Sequence, residues 1–212
     1  MPVRTAILTV APADLTVEEE TLQALTLLLR QSLPSFFLIH QQQGSSQRYW
    51  IEETLRRWCD EEEIDLILTV GGTFPALGPS GDEIVPEATA SVLERLMPSL
   101  PETMRAYALE EDTAAILDRG VAGIRGRTLL INLPAGPRLP LLFLETVVDF
   151  LPQILSYLQP EITSNLPLSM PMREQSVQDR SHPSPPSRDH KLDAEEFAQF
   201  LQKRGQGKRP TG

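Results

Sequence analysis

The chain holds 212 residues, 41% hydrophobic and 23% charged, with a formal net charge of −10, a composition that supports a buried core and excludes a wholly disordered chain. Residues 1–160 carry 11 Arg and no Lys against 22 Asp and Glu, whereas 161–212 carry 8 basic against 7 acidic residues; an acidic folded part repels phosphate backbones and argues against a nucleic-acid partner. The single Cys59 allows neither an internal disulfide nor a cysteine zinc site, no apolar run nears the ~20 residues of a membrane span, and the opening MPVRTAILTV lacks a basic leader, so the expected setting is cytoplasmic, away from membranes.

In chain order, Thr5–Val10 (TAILTV) reads as a buried strand, and Thr16–Arg30 as a helix with apolar spacing at Leu22, Leu25, Leu28 and Leu29. Phe36–His40 is a second strand, Gln41–Gln47 a polar loop, and Trp50–Glu62 a helix. Ile64–Val70 (IDLILTV) has the near-continuous apolar character of a parallel strand covered on both faces. A long loop follows. Pro86–Leu96 is expected to be helical, with proline where a missing N–H costs nothing and Glu87 in the first turn. Pro101–Leu109 and Asp112–Leu117 are short helices, Thr128–Leu133 is a strand, and Pro140–Leu158 is a helix kinked at Pro152. Alternating strands and helices predict an α/β fold with a mostly parallel sheet over residues 1–160.

After Pro160 the composition shifts. Residues 161–190 are rich in Ser, Pro and Gln and predict a disordered linker. Residues 191–204 predict a short amphipathic helix, with an Asp193–Glu196 capping box and a Leu192–Phe197 staple, ahead of a disordered tail at 205–212. That helix either folds back on the core or forms only transiently, or it docks a protein partner.

The strongest chemical signal is the strand ILTV running into Gly71-Gly72-Thr73. Ligands of open parallel sheets bind beyond the carboxyl ends of strands, and glycines let bare amides approach an anion. A double glycine after a strand is also an ordinary turn. Two neighbours add weight: Asp82-Glu83 before a helix start, and Asn132-Leu133-Pro134-Ala135-Gly136-Pro137 after a second strand. His40, His182 and His190 lack ligand spacing, and Cys59 reads as a packed thiol. Trp50, Trp58, Phe36 and Phe37 read as core, and Arg119, Arg125 and Arg127 read as surface ion-pair formers or as cations for an anionic ligand.

WCDEEEIDLILTVGGT (Trp58–Thr73), VPEAT (Val85–Thr89), ILDRGVAGIRGRTLLINLP (Ile116–Pro134) and the leucine-rich helix after them occur in fixed order. Together they resemble the molybdopterin-binding domain shared by molybdopterin adenylyltransferases and the G domain of gephyrin. The resemblance implies a three-layer α/β/α domain, a homotrimer, and transfer of AMP from Mg-ATP to the terminal phosphate of molybdopterin. It further implies that Gly71, Gly72, Thr73, Asn132, Pro134, Ala135 and Gly136 hold the pterin or nucleotide, and that Glu83, helped by Asp82, is catalytic and binds magnesium.

Departures accompany the match. Phe74 replaces the last glycine of Gly-Gly-Thr-Gly, the Pro75–Gly81 segment is longer than in the family, and Asp82-Glu83 stands where Arg-Asp is usual. Ser46 replaces an acidic residue after the second strand; Ala11-Pro12 replaces Ser-Asp; Glu19-Glu20-Thr21-Leu22 replaces Asp-x-Ser-Gly, with Asp14 as a spatial substitute. Two readings stand side by side: an adenylyltransferase of molybdenum cofactor biosynthesis, and a catalytically inactive molybdopterin-binding or scaffold protein of the same fold.

Overall fold

The computed structural model describes residues 2–10, 19–33, 35–75 and 84–159, all within the first of the chain's two units, Met1–Pro167. Outside the described residues lie Asp14, Asp82 and Glu83, most of the lengthened loop, the expected linker 161–190, helix 191–204 and tail 205–212.

Six strands form one sheet in the order β2-β1-β3-β6-β5-β4. The strands β1 (Val3–Val10), β2 (Phe36–Gly44), β3 (Leu66–Val70) and β6 (Thr128–Leu133) run parallel, and β5 (Ala122–Arg125) and β4 (Arg95–Leu96) add an antiparallel edge. Every residue of β3 and β6 is buried, as their unbroken apolar runs require for strands covered on both faces. One core packs Leu22, Leu25 and Leu29 of α1 (Glu19–Ser32), Met104 of α4 (Ser99–Ala108) and Phe143 of α5 (Leu139–Val147) against the sheet. The opposite face takes Ile51, Leu55 and Trp58 of α2 (Arg48–Asp60) with Val85, Ala88 and Val92 of α3 (Val85–Val92). This is the three-layer α/β/α arrangement with a mostly parallel sheet.

Several local expectations are corrected. The polar Gln41–Gly44 stretch continues β2 because β1 offers partners as far as Val10↔Gly44. As an edge strand, β2 leaves Phe37 54% and Ile39 40% exposed, so Phe37 is not core. A register shift between Thr5 and Ala6 leaves Ile39 as the extra residue of a bulge, a usual device on sheet edges.

The helix expected over Pro86–Leu96 stops at Val92. Leu93 turns to extended backbone, and Arg95 and Leu96 pair with Ile124 and Gly123. Arg125 caps the broken helix end, its Nη1 donating to the Val92 carbonyl at 3.1 Å, as favours a cation at a helix C-terminus. The strand β5 went unrecognised in the sequence because it is only AGIR. Its turn into β6 rests on Gly126 at φ +56°, the positive value a two-residue hairpin turn needs at its first central position.

The single kinked helix expected over Pro140–Leu158 is two helices, α5 and α6 (Leu151–Leu158), joined by a 3₁₀ turn at Val148–Phe150. Pro152 has no N–H for the Val148 carbonyl and its ring clashes there. By length and composition Leu139–Leu158 is nevertheless apolar enough to cross a membrane, which corrects the expectation that no run comes near that length. In the fold its Leu142, Phe143, Leu144, Val147 and Leu151 are buried in the core.

Candidate functional site

Because β1 sits inside the sheet with β2 on one side and β3 on the other, the chain reverses its winding between β1 and β3. The carboxyl ends of strands at such a point open a crevice between loops that diverge to opposite faces. Gly71 closes its floor. Its N–H donates to the Leu133 carbonyl at 2.9 Å, its φ is +97°, and a Cβ there would lie 2.2 Å from the Val10 carbonyl oxygen and 3.7 Å from the Ala135 Cβ. The ends of β1, β3 and β6 are thus brought together at one glycine. Gly72 follows at φ +65° and Gly136 at φ +122°, the latter with nothing within 4 Å of a Cβ position. Thr21 at the start of α1 donates to the Pro137 carbonyl at 3.4 Å, fastening the β6-end turn to α1.

Of the residues expected to hold ligand, Gly71 and Gly72 follow β3 and Pro134, Ala135 and Gly136 follow β6, so their backbone lies at these strand ends. Thr73 and Asn132 turn inward. Thr73 is 1% exposed, its carbonyl accepts from Arg119 N at 3.1 Å, and its buried hydroxyl lies near the Asp118 carboxyl without a hydrogen bond of ordinary geometry between them. Asn132 is 0% exposed. Its Nδ2 donates to Thr69 Oγ1 at 2.8 Å and Thr89 Oγ1 at 2.9 Å, and its Oδ1 accepts from Val121 N at 3.1 Å. One amide therefore ties β6, β3, α3 and the segment entering β5, using the donor and acceptor capacity expected to meet ligand.

Asp118 is the buried acid that sequence reasoning missed. Its Oδ2 accepts from Arg105 Nη1 and from Gly120 N, both at 3.1 Å, while Arg105 Nη1 also donates to the Gly120 carbonyl at 3.1 Å. Burial pushes the Asp118 carboxyl above the ordinary carboxylate range, against the pull of the Thr73 hydroxyl and the Arg105 guanidinium. The signal was slight: an Asp-Arg-Gly turn in which Arg119 drew attention, with no periodicity to show that its neighbour faces inward. Beside this cluster lies a cavity of about 460 Å³ whose lining includes Arg105, Asp118 and Leu96.

The arginines divide by position. Arg125 forms a bidentate pair with Asp60 at 2.9 and 2.6 Å, holding that carboxyl below its ordinary range, and Arg127 pairs with Glu63 at 3.2 Å. Both sit in the β5–β6 turn, beside the amino ends of β3 and β6 and away from the crevice. Arg119 pairs with Glu87 in the first turn of α3. Among the described residues no group of three or more His, Cys, Asp or Glu side chains is gathered as a metal site, and the expected magnesium ligands Asp82 and Glu83 lie outside them.

His40 stacks on Trp58 at 5.3 Å and hydrogen-bonds Glu62, a packing role. Burial pushes the Cys59 thiol up to about 12, so almost no thiolate exists at pH 8. Native protein should react with a disulfide reagent on the order of a hundredfold or more slower than free cysteine, which has an ordinary pKa near 8.5; a rate within tenfold of free cysteine, read from the release of chromophore, would contradict that environment.

Residues 46–153 match the family described as the probable molybdopterin binding domain. The chain is 41% identical over 113 residues to a molybdopterin adenylyltransferase of Helicobacter pylori strain J99, covering 53% of this chain and 62% of that protein. It is 35% identical over 121 residues to the molybdopterin adenylyltransferase of Escherichia coli K12, covering 57% and 60%. The matched part thus spans less than two thirds of either relative. Among solved structures, the molybdopterin biosynthesis enzyme MoaB of Thermus thermophilus superposes with a TM-score of 0.59 at 36% identity, covering 74% of this chain and 96% of that one. The molybdopterin biosynthesis Mog protein of Mycobacterium ulcerans does so with a TM-score of 0.64 at 25% identity, covering 75% and 100%. With the family's pattern across half its length, and the three-layer sheet and strand-end crevice that carry it, the chain belongs to the molybdopterin-binding domain family.

Proposed function

We propose that this chain acts in molybdenum cofactor biosynthesis as a molybdopterin adenylyltransferase, with molybdopterin and ATP, supplied as its magnesium complex, as substrates. The observation that carries the reading is the meeting of three strand ends at Gly71, where the backbone is stripped of side chains at Gly71, Gly72 and Gly136. Two relatives sharing 41% and 35% identity bear the name molybdopterin adenylyltransferase, which supports it.

In the reaction a terminal phosphate oxygen of molybdopterin attacks the α-phosphorus of ATP. The new P–O bond forms as the bond to the bridging oxygen of pyrophosphate breaks, and pyrophosphate leaves with that electron pair. Such a transfer needs positioned donors and offset charge more than a protein nucleophile. The backbone of 71–73 and 134–136 supplies positioning; Asn132 and the bond from Arg119 N to the Thr73 carbonyl hold those loops in place. Asp82 and Glu83 are proposed as the acidic pair for the magnesium ion of the ATP complex, with no step resting on their geometry. The assembly is proposed to be a cytoplasmic homotrimer that recruits a protein partner through residues 191–204.

The test is turnover with purified full-length protein, fresh molybdopterin and Mg-ATP, read by mass spectrometry of adenylylated pterin and by pyrophosphate release. Product at catalytic yield is expected, and Glu83→Gln should lower turnover at least tenfold while pterin retention stays unchanged. Retained pterin without product in the unaltered protein would overturn the transfer reading.

A further inference from the structure

The two edges of the sheet are finished differently. One edge, β4, is two residues long, with Glu94 before it and Arg95 within it, and Arg95 Nη2 donates to the Gly126 carbonyl at 2.8 Å. It is short and charged, as free edges usually are. The other edge, β2, is nine residues long, and among the described residues no strand pairs with its outer side. Its sequence FFLIHQQQG contains no Lys, Arg, Asp, Glu or Pro, so apart from the bulge at Ile39 it lacks the devices that keep edges from pairing.

The bulge leaves His40–Gly44 as the longer regular stretch. The Gln42 carbonyl faces β1, where it accepts from Thr9 Oγ1 at 3.3 Å. Backbone groups alternate in direction along a strand, so the N–H and C=O groups of Gln41 and Gln43 point away from β1. Both residues are exposed, and so are Phe37 at 54% and Ile39 at 40%. His40, the one titratable residue of β2, is turned to Trp58 and Glu62. Open backbone groups, apolar side chains and two amides therefore share one uncharged edge, which is a template for another strand.

Charge and symmetry select the occupant. Residues 1–160 carry 22 acidic against 11 basic residues, so two copies repel over most of their surfaces, whereas the outward residues of β2 bring no like charges together. Gln41 and Gln43 each offer a donor and an acceptor and can pair with the same residues of an identical strand. A twofold axis sets two identical strands antiparallel and uses the same surface on each copy. We propose that β2 is a self-association edge, at which two copies of this chain pair their β2 strands antiparallel about a twofold axis beside Gln41. Gln41 then faces Gln41, the two exchanging both N–H···O bonds, and Ile39 lies opposite Gln43. The contact does not rest on the proposed reaction, and it is distinct from the proposed threefold ring because a twofold contact closes on itself.

Sedimentation equilibrium of the full chain is the test. The unaltered protein should show about twice the mass of Ile39→Lys at equal concentration, because a lysine on an exposed edge blocks edge-to-edge pairing. That ratio holds whether the unit that doubles is a single chain or a ring. A second measurement uses cysteine trapping, for which Cys59 stays silent because burial pushes its thiol up to about 12. Gln41→Cys should give a disulfide-linked dimer on mild oxidation, since a hydrogen-bonded antiparallel pair sets its Cα atoms about 5.5 Å apart, within disulfide reach. Tyr107→Cys, exposed on α4, should not. If a melting curve shows that Ile39→Lys disturbs folding, the trapping experiment decides in its place. Equal masses for the unaltered and Ile39→Lys chains, or equal trapping at Gln41 and Tyr107, would overturn the proposal, as would follow if another strand occupied the edge.

Discussion

Gly71→Ala is expected to destabilise the domain by about 3 kcal/mol, combining backbone strain at positive φ with a forced shift of packed backbone. The Cβ would lie 2.2 Å from the Val10 carbonyl oxygen, and φ is +97°. For a domain of this size that corresponds to a fall in melting temperature of roughly 6–12 °C. Ligand retention should fall as well, since moving Gly71 off Val10 parts the ends of β1 and β3 where the crevice is formed. Gly136→Ala is the control. Its φ is +122° but its Cβ would meet nothing within 4 Å, so only the torsional cost of about 1 kcal/mol is expected. Thermal melts showing the two variants equally stable would mean that the approach to Val10 does not constrain the loop.

The second large effect is expected at Asn132, whose amide serves three hydrogen bonds inside the protein. Asn132→Leu removes all three and leaves the Val121 N–H without its acceptor, at a cost of about 3 kcal/mol or more. Asn132→Asp keeps an acceptor for that N–H but places an ionisable group where exposure is 0%. Desolvation raises its pKa in the folded state above the unfolded value, so this variant is most stable while the carboxyl is protonated and loses stability as pH rises through the folded pKa. Urea titrations at pH 5 and pH 8 should therefore show Asn132→Asp closer to the unaltered protein at the lower pH. The reverse order would show that the site tolerates a buried charge and that the amide network matters less than its geometry suggests.

Periodicity and turn chemistry made most of the scaffold legible. The apolar runs of β3 and β6, the leucine stripe of α1 and the proline-started α3 could be read directly, because burial on one or both faces dictates residue type at fixed spacing. The failures have a common cause. Gln41–Gly44 of β2 and Arg95–Leu96 of β4 are polar or short, and they are strands only because β1 and β5 present unpaired backbone beside them. Pro152 was visible as a disturbance, but whether it bent one helix or separated two depended on how α5 and α6 fit the sheet.

The candidate site divides in the same way. The double glycine, the VPEAT helix start and the Asn-Leu-Pro-Ala-Gly turn are local in sequence, so the loop chemistry and the family were accessible from residues alone. What each side chain does was decided by the tertiary structure. Asn132 and Thr73 face inward, Arg125 and Arg127 are drawn to Asp60 and Glu63 beside the amino ends of β3 and β6, and Asp118 is buried under Arg105. Sequence by itself determined the order of the main elements, β4, β5 and the division of the last helix excepted, and the glycines where backbone meets backbone, because backbone conformation is governed by nearest neighbours and a missing Cβ. Only the fold decided which polar atoms meet, because those partners lie far apart along the chain, as Asn132 and Thr69 do at a separation of 63 residues, and their pairing depends on the register of strands that no local pattern specifies.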